Sequence, residues 1–160
     1  MIVGVDSGKN RIDAVAMVDD KICDWFTMEI PRKQVISRSR TLRDLRFSFN
    51  FWLHCLPAEP TLFVEAPIVM SGRQTAVALA ETVGMILSLP FRAETVAIDA
   101  WKMEAIGKGG VSKEEVRRGI IEAYPATEDI FGERQDLFDA AGVAVYGCRS
   151  GRGVPFTDPA

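Results

Sequence analysis

The chain has 160 residues, 48% of them hydrophobic, and a formal net charge of −3; this suits one domain with a full core. Its apolar stretches are broken by charge or proline well before the roughly 18 residues a membrane span needs, which excludes a helical membrane protein. Cys23, Cys55 and Cys148 lack metal-ligand spacing, and Met1-Ile2-Val3-Gly4-Val5 meets Asp6 at once without a secretory pattern, so reduced thiols in a cytoplasmic protein are expected.

In chain order, residues 1 to 7, about 12 to 19 and about 22 to 30 read as three strands. The connections Ser7-Gly8-Lys9-Asn10 and Asp19-Asp20-Lys21 are short, which favours antiparallel pairing. From Ser39 to Leu56 the residues Leu42, Leu45, Phe49, Trp52, Leu53 and Leu56 recur at helical spacing, and Pro57 and Pro60 follow the end. A strand over 61 to 66, a helix over about 72 to 89, a strand over 93 to 98 and helices over about 112 to 124 and 136 to 149 come next. Three antiparallel strands followed by βαβ crossovers give an α/β fold, a five-stranded mixed sheet flanked by helices. The domain is expected to span 1–149, with a flexible tail over 150–160 that carries Gly151, Gly153, Pro155 and Pro159.

Four acidic residues fall where this pattern would gather them. Asp6 closes the first strand, Glu65 interrupts Thr61-Leu62-Phe63-Val64 at the end of another, and Asp136 and Asp139 open the last helix three residues apart, on one face. A carboxylate at the end of a buried strand is costly unless neutralised. Oxygen ligands without histidines or paired cysteines favour Mg2+ or Mn2+ over zinc. Carboxylates from two strand ends and a helix would clamp two metals about 3.5 to 4 Å apart, the arrangement that hydrolyses phosphodiesters. Gly107, Gly109 and Gly110 would let the backbone approach a phosphate, with Lys113 near the next helix N-terminus; an ordinary glycine loop reads equally well.

The acidic total argues mildly against a nucleic-acid partner, but charge is unevenly spread. Residues 31 to 46 hold Arg32, Lys33, Arg38, Arg40, Arg43 and Arg46 against Asp44 alone, and Lys102, Lys108, Lys113, Arg117 and Arg118 form a second basic stretch. Each is either a solvated face or a phosphate contact. His54, the sole histidine, reads as a packed or surface side chain, so nucleophilic Ser–His–Asp or Cys–His catalysis lacks support. Trp101 reads as a base-stacking residue or a core residue. The helix over 72 to 89 carries Ala76, Val77, Leu79, Ala80, Val83, Gly84, Ile86 and Leu87 on more than one face, which marks it as the expected homodimer interface.

Gly4-Val5-Asp6-Ser7-Gly8, Val64-Glu65-Ala66-Pro67, Gly107-Lys108-Gly109-Gly110-Val111-Ser112-Lys113 and Asp136-Leu137-Phe138-Asp139-Ala140-Ala141 resemble, in order and spacing, the RuvC family of Holliday-junction resolvases. The resemblance runs from Met1 to about Arg149. It implies an RNase H-like fold, with Asp6, Glu65, Asp136 and Asp139 holding two Mg2+ ions and with Lys102 and Lys113 beside the scissile phosphate. It further implies a dimer that nicks a four-way DNA junction symmetrically. In the loop where the family presents an apolar wedge, this chain offers Ile68 and Met70. A ribonuclease H-like enzyme on RNA–DNA hybrids or structured RNA, and a non-catalytic nucleic-acid or nucleotide-binding module, are the alternatives. The first is disfavoured because the first helix supplies only Asp44, the second by the presence of all four carboxylates.

Overall fold

The computed structural model describes residues 1–31, 37–67 and 73–150. Arg32, Lys33, Ile68, Met70, Gly72 and most of the expected tail (151–160) lie outside the described residues. The strands are β1 (Ile2–Ser7), β2 (Arg11–Val18), β3 (Lys21–Glu29), β4 (Thr61–Glu65) and β5 (Ala93–Val96). The helices are α1 (Arg38–Cys55), α2 (Arg73–Leu87), α3 (Ile98–Ile106), α4 (Lys113–Ala123), α5 (Thr127–Phe131) and α6 (Gln135–Arg149).

One mixed sheet runs in the order β3-β2-β1-β4-β5. The first three strands are antiparallel neighbours, as the short turns require, while β4 lies parallel to β1 and β5 parallel to β4. β1 is central because Ile2-Val3-Gly4-Val5 has no polar side chain and is buried on both faces. β3, at one edge, alternates exposed and half-buried residues instead.

The sheet divides two cores. On one face Val3, Val5, Ala14, Leu62 and Val64 pack against Leu45, Phe49 and Leu53 of α1 and Val83 and Ile86 of α2. On the other, Ile2, Val15, Met17 and Phe63 pack against Trp101 of α3, Val116 and Ile120 of α4 and the length of α6. The two-residue strand period therefore sends Asp6, Asp13 and Glu65 toward α6, since Ile2, Val15 and Phe63 already face it. Gly4 sets how close that helix comes. A Cβ there would lie 2.2 Å from both Ala140 O and Ala144 N. With no side chain between them, α6 rests on the β1 backbone, and Asp136, one helical turn before Ala140, arrives beside Asp6.

Three elements depart from the sequence expectation. The strand expected over 93 to 98 stops at Val96, and α3 begins at Ile98. The β-branched run Thr95-Val96 hides this boundary, and Ala97 at the N-cap makes no side-chain capping bond. α5 is a five-residue turn that buries Thr127 and Phe131, too short to leave a periodic signal. No helix among the described residues is long and apolar enough to cross a membrane.

Candidate active site

Asp6 stands near the carboxyl end of β1 and Glu65 ends β4, its parallel neighbour. Asp136 lies in the first turn of α6, where the helix dipole favours negative charge, and Asp139 follows on the buried side. Asp6, Asp136 and Asp139 each bring a carboxylate oxygen within 4.8 Å of the others. Glu65 sits just outside that tight group, close enough to raise the proton affinity of Asp6. Its Oε2 accepts a 2.8 Å hydrogen bond from Trp101 Nε1, and Asp139 Oδ1 accepts one of 3.1 Å from Gln135 Nε2.

Burial raises the pKa of Asp6 well above the usual carboxylate range, and repulsion from Glu65 and Asp136 adds to it. Burial also raises Asp139 and Glu65, against the opposing hydrogen bonds from Gln135 and Trp101 respectively. Acids crowded this way gain from a cation. The donors are all oxygens, they converge from separate elements, and no thiol or imidazole joins them, so the set fits a hard divalent cation such as Mg2+ or Mn2+.

The two lysines differ in placement. Lys113, the first residue of α4, is 67% exposed, with Nζ 3.6 Å from Asp136 Oδ1 and 3.7 Å from Asp139 Oδ2, so its ammonium stands at the rim of the acidic group. Behind it Ser112 and Glu115 form a capping box that fixes the helix start. Lys102 Nζ instead donates to Val111 O at 2.9 Å and lies 5.6 Å from the Trp101 ring centroid. It ties α3 to the segment leading into α4. Gly107 ends α3 in the left-handed conformation at φ 82°, which makes the first glycine of that segment a helix cap.

Several other expectations resolve into packing. Trp101 is fully buried, so base stacking is replaced by a core position whose indole orients Glu65. His54 is exposed on α1, across the sheet from the acids, with its ring edge-on to Phe91. Arg38 is spent within the protein: it donates to Glu81 Oε2 at 2.7 Å and Thr82 Oγ1 at 2.8 Å, and also to the carbonyls of Lys9 and Ala78. Arg40 and Arg43 are exposed and paired only loosely with Asp44, at 3.7 and 3.9 Å.

Arg11 and Asp13 belong to the site although nothing in the sequence reading singled them out. Arg11 reaches Asp136 Oδ2 at 2.6 Å, Asp13 Oδ2 at 2.7 Å and Asp6 Oδ2 at 3.5 Å. Asp13 is 3% exposed, pairs with Asp6 across the β1–β2 ladder and accepts a 2.7 Å bond from Thr27 Oγ1. A carboxylate inside Ile12-Asp13-Ala14-Val15 is the same signal in the sequence that marks Glu65.

The five-stranded mixed sheet, flanked by helices, matches the RNase H-like fold of RuvC. RuvC of Thermus thermophilus, in complex with Holliday junction substrate, superposes with a TM-score of 0.77 at 17% identity, over 94% of each chain. A second Thermus thermophilus RuvC structure gives 0.69 at 17% identity over 97% of this chain and 99% of that one. The Fowlpox virus resolvase, in complex with Holliday junction DNA, gives 0.52 at 12% identity over 93% and 97%. No protein-family model matches the sequence, and neither does any curated protein.

Proposed function

We propose that the chain is a divalent-metal-dependent, structure-selective endodeoxyribonuclease that resolves four-way DNA junctions. The observation that carries this reading is the convergence of Asp6, Asp136 and Asp139, with Glu65 beside them, in a fold shared with proteins solved on Holliday junctions. Two Mg2+ ions, for which Mn2+ substitutes, would supply Lewis-acid stabilisation of charge on the scissile phosphate and its attacking and leaving oxygens.

The residues divide the rest of the work. Asp6, Asp136 and Asp139 would hold the cations, and Glu65 would complete the set in the orientation its bond to Trp101 imposes. Lys113 meets the phosphate from the rim, where its positive charge counts most as negative charge develops. Lys102 acts through position, steadying the segment that presents Lys113. Lys9 and Arg73 line a recess beside α2 that suits a backbone phosphate of a junction arm, with Arg38 there already neutralising Glu81. Paired nicks need two sites related by a two-fold axis, which the exposed stripe of α2 would provide by dimerisation.

The test is Mg2+-dependent cleavage of a synthetic four-way junction, compared with linear duplex, a flap and an RNA–DNA hybrid. Symmetric nicks confined to the junction are expected, with 5′-phosphate and 3′-hydroxyl ends. Asp6→Asn, Glu65→Gln, Asp136→Asn and Asp139→Asn should each abolish cleavage and keep junction binding. Preferential cleavage of the hybrid, or near-normal turnover in any two of those variants, would overturn the assignment. Lys113→Ala should depress the cleavage rate by roughly 10–100-fold with little change in affinity; equal losses in both would reduce it to a phosphate anchor.

A further inference from the structure

We infer that Arg11 is an internal counter-ion, which stands in for the metal among the aspartates and sets how tightly a divalent ion binds. This rests on the reading of the acidic group as a metal centre. Arg11 opens β2, and its guanidinium reaches three carboxylates drawn from β1, β2 and α6. Two of the three, Asp6 and Asp136, are members of the group whose oxygens converge within 4.8 Å. A divalent ion seated there must first take those two from the arginine.

Asp13 has a different part. It is not in the convergent group, it is 3% exposed, and one of its oxygens is held by Thr27 Oγ1 at 2.7 Å. Turning it toward an ion would break that bond. Its other oxygen stands 2.7 Å from Arg11 Nε, yet neither atom has hydrogen-bond alignment, so the pair is held by charge and not by direction. Such a contact lets the guanidinium pivot without leaving Asp13. The Arg11 side chain is 31% exposed and has solvent to move into. Asp13 is therefore a tether: it keeps the arginine at the site after Asp6 and Asp136 have passed to the metal. A buried carboxylate that served the metal alone would have no need of a cation already at 2.7 Å.

The consequence is a site partly compensated while empty and correspondingly more reluctant to fill than one without the arginine. Calorimetric titration of the full chain with Mn2+ alone, without DNA, tests this. Arg11→Gln should bind Mn2+ about 10-fold more tightly than wild type or better, because one positive charge within contact distance of the ligands is gone. Its melting temperature in chelator should fall, and the gain on adding Mn2+ should exceed that of wild type. Arg11→Lys, which keeps the charge but cannot span three carboxylates, should fall between them. The double variant Arg11→Gln with Asp13→Asn should match Arg11→Gln alone. Mn2+ affinity unchanged or weakened in Arg11→Gln overturns the counter-ion role, and a double variant weaker than the single one makes Asp13 a ligand and overturns the tether. Asp139→Asn separates this from the underlying reading: if it binds Mn2+ as wild type does, the metal centre itself is misassigned, whereas its loss beside an unchanged Arg11→Gln removes only the counter-ion.

Discussion

Asp6 concentrates the electrostatic cost of the site. Burial first, then Glu65 and Asp136, make it hold its proton to higher pH than a free carboxylate, and Arg11 offsets only part of this. A group with a raised folded pKa binds more protons folded than unfolded, so its stabilising contribution is present below the unfolded value near 4 and lost as pH rises through the folded one. Asp13, Glu65 and Asp139 are shifted the same way. In chelator, Asp6→Asn should accordingly melt near the wild-type temperature at pH 4 and gain on it steadily, reaching roughly 3 °C or more by pH 7. Thermal melts across that range check it; a wild type that gains on the variant as pH rises would show that Arg11 outweighs the repulsion. The sequence exposed Asp6, Glu65, Asp136 and Asp139 because a charge ending an apolar run, or two charges on one helical face, is visible without a fold. Arg11 was not visible in this way: beside Lys9 and Asn10 in a turn, a cation reads as solvated, and only the close docking of α6 turns it inward.

At the scale of elements, the docking of α6 on β1 governs the geometry. Gly4→Ala would place a methyl 2.2 Å from backbone atoms of Ala140 and Ala144, which no side-chain rotation relieves. The helix must shift, at a cost of roughly 1–3 kcal/mol or more in stability. Mn2+ affinity should drop with it although no ligand is touched, because Asp136 and Asp139 ride on the displaced helix; unchanged affinity in a destabilised variant would mean that the site adjusts independently of α6. Strands β1 to β4 and helices α1, α2, α4 and α6 were readable because each is long enough to show its period. The missed α3 has nine residues, an uncapped start and Trp101 as its one fully buried side chain, so its packing against α6 is a tertiary fact with little local trace. A Cβ on Gly142 would meet the Trp101 ring at 2.5 Å, which explains a glycine in the middle of a helix and links α3 to α6 through a contact that neither segment announces alone.

Across the whole molecule, the sheet satisfies only part of the apolar surface of α2. Val83 and Ile86, expected at a subunit interface, are buried within the chain, whereas Val77 and Leu87 are 51% and 39% exposed and Ala80 and Gly84 lie between them on the outward side. This narrower stripe, one residue wide and lined with small side chains, suits close approach of a second α2. Sedimentation at micromolar concentration should give about twice the 17.7 kDa chain mass. Ala80→Arg should return the protein to monomer and replace paired nicks with single ones; a wild-type monomer that still resolves junctions would sink the idea.

The meeting of β1 with α6 also has a consequence in time. Asp6 and Asp136 are brought together from opposite ends of the described chain, so the contact that completes the acidic group is among the longest in sequence and carries a large loop-closure entropy. A chain emerging from the ribosome presents Asp6 and Glu65 well before Asp136 exists. A polypeptide halted ahead of Gln135 would lack both Asp136 and Asp139, so the acidic group is assembled only with the finished fold.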